Sequence, residues 1–270
     1  QATIVNAHVV QNAIATTVAG SGGFVDVSTL TAIAQIGTTG TAAPVSAVAD
    51  EGAELTVGSL SITATGESTA LATMDSSGGG AITVSTGESN TLVNTGVIAR
   101  LGPAGAATLP LSGRTTVSST GDITITATGS QFAKSTSDRA GGGAISVSDL
   151  NAKATVLGSV GASVGAAVKI TTARNLSVTA EIAGSSALTS TTISTGGVVN
   201  VGTPYAVSTS TPSVSAGIGA GADLTVAAAG GVGGDLSVEA IGRAEADSTA
   251  KVYGGGAITA GAASAKSVVD

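Results

Sequence analysis

The sequence predicts an all-β solenoid, and three features carry the prediction: a glycine-headed motif that returns along the chain, period-two alternation between its copies, and a composition without the material for an ordinary core. The motif is Gly78-Gly79-Gly80-Ala81-Ile82-Thr83-Val84-Ser85. It returns as Gly141 to Ser148, as Gly196-Gly197-Val198-Val199-Asn200-Val201, as Gly254 to Ala260, and in weaker form as Gly22-Gly23-Phe24-Val25-Asp26-Val27. From Phe24 to Ala81, Ala144, Val198 and Ala257 the steps are 57, 63, 54 and 59 positions. The 270 residues therefore read as about four and a half tandem units of roughly 58 residues, near 1-57, 58-120, 121-174, 175-233 and 234-270, in a single repeat domain.

Composition agrees. Aromatic residues are 1 % of the chain, there is one Met and no Trp, and the 42 % hydrophobic share is mostly Ala and Val. Small side chains each bury little area, so stability has to come from many shallow contacts and a long backbone ladder. A disordered chain would be less hydropathic and more charged; mean hydropathy is +0.46 and only 10 % of residues are charged. Net charge of −7 argues against nucleic acid as a partner. The absence of cysteine removes disulfides and thiolate metal sites.

The elements follow in order. In the second unit Leu60, Ile62, Ala64, Gly66, Ser68, Ala70, Ala72 and Met74 form an inward row, against outward Thr63, Thr65, Glu67, Thr69 and Asp75. In the third, Ile123, Ile125, Ala127, Gly129, Gln131, Ala133, Ser135 and Ser137 face in, and Thr124, Thr126, Thr128, Lys134 and Asp138 face out. The fourth slips by one residue between Leu176 and Ala187, which predicts a bulge between Glu181 and Ser185. In the fifth, even positions from Leu236 to Val252 are small or apolar and Arg243, Glu245, Asp247 and Lys251 share the outward parity. Gly66, Gly129, Gly184 and Gly242 predict a corner in the middle of each arm, because unbroken strands of that length are rare.

Beyond the glycine motif a second arm aligns without gaps. Val93, Val97, Ala99 and Leu101 match Val156, Val160, Ala162 and Val164, and then Ser210, Val214, Ala216 and Ile218, all inward. Short strands are predicted at Glu54 to Val57, Val168 to Thr171 and Asp223 to Val226, and the connections around Gly102 to Leu111 and Ala227 to Gly234 read as loops. Three coils of about 20 residues per unit is the expected winding, giving a rod of about 65 Å; one wide coil of about 60 residues is the variant. An antiparallel β-sandwich of long hairpins is the alternative fold.

Signals for chemistry are sparse, and no catalytic, cofactor-binding or metal-ligating residue is nominated. His8 is the single histidine, which leaves triad or His-metal chemistry without partners. The groups Lys134, Asp138, Arg139 and Arg243, Glu245, Asp247, Lys251 read as surface pairs. Gly231-Val232-Gly233-Gly234-Asp235 is a single distant approximation to a calcium nonapeptide, and Gly217 to Ala222 lacks phosphate-loop spacing. Outward Thr rows such as Thr124, Thr126 and Thr128 do not persist through every unit, as an ice-binding array would require. The tract 199 to 222 is uncharged but broken by Pro204 and Pro212, so no membrane span is expected. With no leader visible at Gln1, the chain is expected to be a segment or processed form of a longer polypeptide.

Gly-Asp-Leu-Ser-Val-Glu-Ala (Gly234 to Ala240), Gly-Gly-Gly-Ala-Ile-Thr (Gly254 to Thr259) and Ile-Gly-Ala-Gly-Ala-Asp-Leu-Thr-Val (Ile218 to Val226) resemble the repeats of large bacterial surface proteins of the filamentous-haemagglutinin-like adhesin type. The resemblance implies export, a solenoid shaft, and attachment or matrix work at the cell surface; the usual secretion domain is not recognisable. The expected function is a non-enzymatic extracellular structural protein, a β-solenoid subunit that stacks on itself into a filament, stalk or matrix fibre. The alternative is an adhesin module binding carbohydrate or a host or neighbour-cell protein through variable loops, where Tyr205 and Tyr253 are the available aromatics.

Overall fold

The computed structural model describes residues 1–104, 114–227 and 233–270. It is an all-β solenoid in which every ladder between named strands is parallel. Parallel stacking of consecutive units replaces the hairpin sandwich, whose pairs would be antiparallel. Each coil begins with a long strand: β1 (Ala2–Ile36), β4 (Ser59–Val93), β7 (Ile123–Val156) and β10 (Leu176–Ser210). A second strand follows in β2 (Ala43–Ala49), β5 (Thr95–Leu101), β8 (Ser159–Val164) and β11 (Ser213–Ile218). A short third completes the coil as β3 (Glu54–Val57), β6 (Thr116–Ser119), β9 (Lys169–Ala173) and β12 (Asp223–Val226). The fifth coil contributes β13 (Leu236–Ile241), β14 (Glu245–Gly255), β15 (Ile258–Gly261) and β16 (Ser264–Val269), all on β10. Three sheets result, in the orders β1-β4-β7-β10-β13, β2-β5-β8-β11 and β3-β6-β9-β12.

One tandem unit is one coil. Leu60 pairs with Thr3 below it and Ile123 above it, so the wide coil is correct and the expected three coils of about 20 residues are not. The reason is that the second and third strands pair with their own counterparts in neighbouring units and never with the long strand. At about 4.8 Å per coil the described stack is about 20 Å tall, against the 65 Å expected.

The long strands fold back on themselves at the glycine motif. Ser137 Oγ donates to the Asn151 carbonyl oxygen, and Thr191 Oγ1 to that of Tyr205, each contact joining the two arms of one strand. Two interiors follow. Near the ends of the long strand, Leu60, Ile62 and Ala64 close a three-sided core with Val97, Ala99, Leu101 and Val117, and the coils above repeat it. Beyond it the arms lie face to face as a thin blade around Ala70, Ala72, Met74, Val93, Ala133, Leu150 and Ile193. Hydroxyls inside the blade satisfy one another across the gap: Ser89 with Ser135 and Ser137, Ser185 with Ser210, and Thr189 with Ser208.

Gly66 and Gly129 sit where core and blade meet, and there the predicted corner is absent. β4 and β7 run straight through both glycines. A Cβ on Gly66 would lie 2.6 Å from Val97 Cγ2, and one on Gly129 2.5 Å from Val160 Cγ2. These glycines are seats for valines of the second sheet. Stacking on identical neighbours sustains the long strands that isolated-strand statistics disfavour. The predicted bulge is present: the β10 register against β7 shifts between Ile182 and Gly184. The second-arm alignment is the observed register, with Val97 on Val160 and Val160 on Val214. The loops expected around 105–111 and 228–232 lie outside the described residues.

Two columns of the interior are alanine in every coil: Ala7, Ala64, Ala127, Ala180, Ala240, and Ala13, Ala70, Ala133, Ala187, Ala246. Corner contacts tie coil to coil through Asp122, which accepts from Nε and Nη2 of Arg174 and from Asn175.

Candidate assembly surfaces

The inward rows of the middle coils are sealed, and those of the end coils are not. Leu60 and Val178 are fully buried, whereas Leu236 and Val238 in the same sheet are 51 % and 43 % exposed because no coil lies above them. At the other end β1 has a partner on one side only, and its inward Val5, Ala7 and Val9 are half-buried. β2 and β3 end their sheets at the same face. Unpaired N–H and C=O groups along such strands are templates for another strand. The opposite end is stepped: β13 to β16 add a layer to the first sheet, while β11 and β12 remain the last strands of the other two. Ile218, expected inside, is 37 % exposed for that reason.

A second surface runs along the side. In the repeated motif the hydroxyl and amide residues Thr83, Ser146 and Asn200 turn inward and the β-branched ones turn out. Val25, Ile82, Ile145, Val199 and Ile258 stack into one outer column, and Val27, Val84, Val147, Val201 and Ala260 into the next. The result is an apolar ladder two columns wide beside the glycine edge. The first coil is apolar on both outer faces: Ile4, Val10, Ile14 and Val18 on its first arm, and Phe24, Val25, Val27 and Ile33 at the glycine edge and on its second arm, are between 55 and 79 % exposed. In the next coil Ser61, Glu67 and Asp75 stand over Ile4, Val10 and Val18. An apolar ladder of this kind is a candidate contact surface. Sequence parity alone gave these residues no role.

The residues weighed for chemistry are dispersed. His8 is on the exposed outer face of β1. Lys134 and Asp138 face outward, but Arg139, grouped with them by sequence, turns into the blade and is 2 % exposed. Arg243, Glu245, Asp247 and Lys251 are all exposed, as their parity predicts. Tyr205 and Tyr253 stand on strands, away from loop tips. The glycine-rich Gly231 to Asp235 segment begins outside the described residues. Among the described residues no three His, Cys, Asp or Glu side chains converge, and no helix is long and apolar enough to cross a membrane.

One carboxylate is electrostatically strained. Asp138 lies directly over Asp75 and under Thr192. Burial pushes its pKa above the ordinary carboxylate value, a hydrogen bond from Thr192 pulls it down, and the Asp75 charge pushes it up again. With the folded-state pKa raised, protonation favours the fold, so this contribution is present below the unfolded value and is lost as pH rises through the folded one. Asp138→Asn is expected to raise stability at pH 7, by less than about 1 kcal/mol on a partly exposed site. The gain should vanish as pH falls through the carboxylate range, read from denaturation midpoints at pH 7 and pH 3.5.

No protein-family model matches the chain, and neither a curated protein nor a solved structure matches it.

Proposed function

We propose that the chain is a structural β-solenoid subunit of an extracellular filament, stalk or matrix fibre that grows by stacking copies end to end. The reading rests chiefly on the self-similar stack, in which each described coil pairs in parallel register with the next, and on the inward-row residues left exposed along its last coil. The columns of the first and fifth coils also match. Seating β1 of one copy on β13 and β14 of the next places Ala7 over Ala240, Ala13 over Ala246 and Gly23 over Gly256, continuing three columns already uniform within the chain. The first-coil tract from Ala2 to Phe24 carries no acidic, lysine or arginine side chain to oppose Glu239, Glu245 or Lys251. The described fifth coil has no second or third strand, so the copy's β2 and β3 stand about two strand spacings from β11 and β12, a gap of one layer in those two sheets. This contact is head to tail and does not close, which is the symmetry of a fibre. The apolar ladder supplies a lateral surface by which such shafts pack side by side.

Electron microscopy and sedimentation of the purified chain test the reading. Fibres with a strand repeat of about 4.8 Å along the axis are expected. Ala7→Lys points a charge inward on the free edge strand and should block growth while leaving the far-ultraviolet dichroism of the subunit intact. Asn12→Lys, on the outer face, should assemble like the parent. Discrete short rods at high concentration, or unchanged fibres from Ala7→Lys, would overturn the stacking model. Rods would move attention to the adhesin alternative and to glycan binding by the loops.

A further inference from the structure

Arg139 is a guanidinium enclosed inside the blade, and the fold supplies it with no partner. It occupies the inward column Ala19, Ser76, Arg139, Ile193, Val252. The wall opposite is fixed by the coils above: a Cβ on Gly202 would meet Ile193, and one on Gly261 would meet Val252, both within 3.3 Å. In the coil of Arg139 the residue in that opposite column is Ser148, over Ser85 and under Gly202. Ser146 is the next inward residue toward the glycine edge. The guanidinium extends the same way, since a Cβ on Gly141 would lie 3.5 Å from Nη2.

Nε, Nη1 and Nη2 of Arg139 have no hydrogen-bond partner, and neither have the hydroxyls of Ser76, Thr83, Ser146 and Ser148. All five residues are at most 2 % exposed. Arginine does not shed its proton in proteins, and a hydroxyl hydrogen rotates to whatever accepts it. An isolated charge removed from water without a partner is among the costliest arrangements a fold can contain. The carboxylate whose charge acts on Arg139 is Asp26, in the first coil, which accepts a hydrogen bond from Ser21 and sits beside Gly78. No ion pair joins it to Arg139, the described pairs being Arg100–Asp50 and Arg174–Asp122. Burial lowers the Arg139 pKa and the Asp26 charge opposes that shift. What remains is one fixed positive charge and several unused hydroxyl donors, enclosed by serine, threonine and glycine.

We infer that the blade interior behind the glycine edge binds a small monovalent inorganic anion of the halide class, held by the Arg139 guanidinium and the hydroxyls of Ser146 and Ser148, with Thr83 and Ser76 beside them. A single charge of compact size matches one guanidinium among short side chains. The anion bridges the second and third coils and pins the two arms of the blade together. This site is independent of assembly and stands whether or not the chain forms fibres.

Bromide soaked into crystals of the chain, with anomalous diffraction, is the direct test: a peak beside Arg139 is expected. In solution the thermal midpoint should rise with chloride relative to gluconate at equal ionic strength. Ser148→Ala, a small change that keeps the fold, should shift the chloride dependence to about tenfold higher concentration, the scale of one hydrogen bond to a charged group. Arg139→Met should abolish it. Equal midpoints in chloride and gluconate, the absence of a bromide peak, or a guanidinium found bonded directly to the Asp26 carboxylate would each overturn the site.

Discussion

Gly143→Ala is expected to destabilise the chain by about 3 kcal/mol, although it adds a single methyl group. The methyl would lie 2.2 Å from the backbone oxygen of Gly80 in the coil below. The same geometry recurs up the column: 2.1 Å from Gly80 to the oxygen of Gly23, 1.7 Å from Gly197 to that of Gly143, and 2.0 Å from Gly256 to that of Gly197. At each step the obstacle is a backbone carbonyl held in a parallel ladder, which no rotamer change can move aside. A side chain there forces neighbouring coils apart at the blade edge. Gly23, measured on the unassembled subunit, supplies the control. In the first coil no carbonyl lies beneath it, the nearest atom to its Cβ position being Val25 O at 3.6 Å, so Gly23→Ala should stay within about 0.5 kcal/mol of the parent. Denaturation midpoints of the two variants decide the matter; equal losses would show that the column does not set the glycine requirement.

Ala133→Arg is expected to prevent folding, losing about 5 kcal/mol or more. Ala133 is completely buried in the thin blade and stacks between Ala70 and Ala187. It belongs to an apolar cluster with Val93, Ala154 and Val156, and its inward neighbours Gln131 and Ser135 are neutral, so no carboxylate is at hand to pair with a charge. The contrast with Arg139, six positions on in the same arm and on the same parity, is instructive: there the wall is serine. Ala246→Arg places the same charge in the same column of the fifth coil, where the site is half-buried, and should cost less. Lys134→Ala, one residue away on the outer face, should be nearly silent. Circular dichroism and soluble yield of the three variants read the order. If Ala133→Arg were tolerated as well as Lys134→Ala, the inward assignment of this row would fail.

Much of this architecture was legible before any coordinates. The all-β class, the inward rows from Leu60 to Met74 and Ile123 to Ser137, and the bulge in the fourth unit follow from alternation and spacing alone. They are legible because side-chain direction in a strand is a local property with a period of two. The inward row of the third unit reaches Arg139 two residues beyond Ser137, so the same period-two rule turns the guanidinium inward.

What alternation left open is what depends on a partner distant in sequence. The winding is one example: whether a unit makes one coil or three is decided by which strands pair, and Ser59–Val93 pairs with neighbouring units and never within its own. The role of Gly66 is another, since the valine it accommodates is Val97, on a different sheet. The outer ladder from Val25 to Ile258 and the hydroxyl wall opposite Arg139 exist only once coils are stacked. The sequence by itself determined the repeat, the strand character and the facing of the inward rows in the middle units, because these are set by neighbours along the chain. The tertiary structure alone decided the coil size, the two interiors and the surfaces open to a partner, because stacking brings together residues about sixty positions apart whose contact no local period encodes.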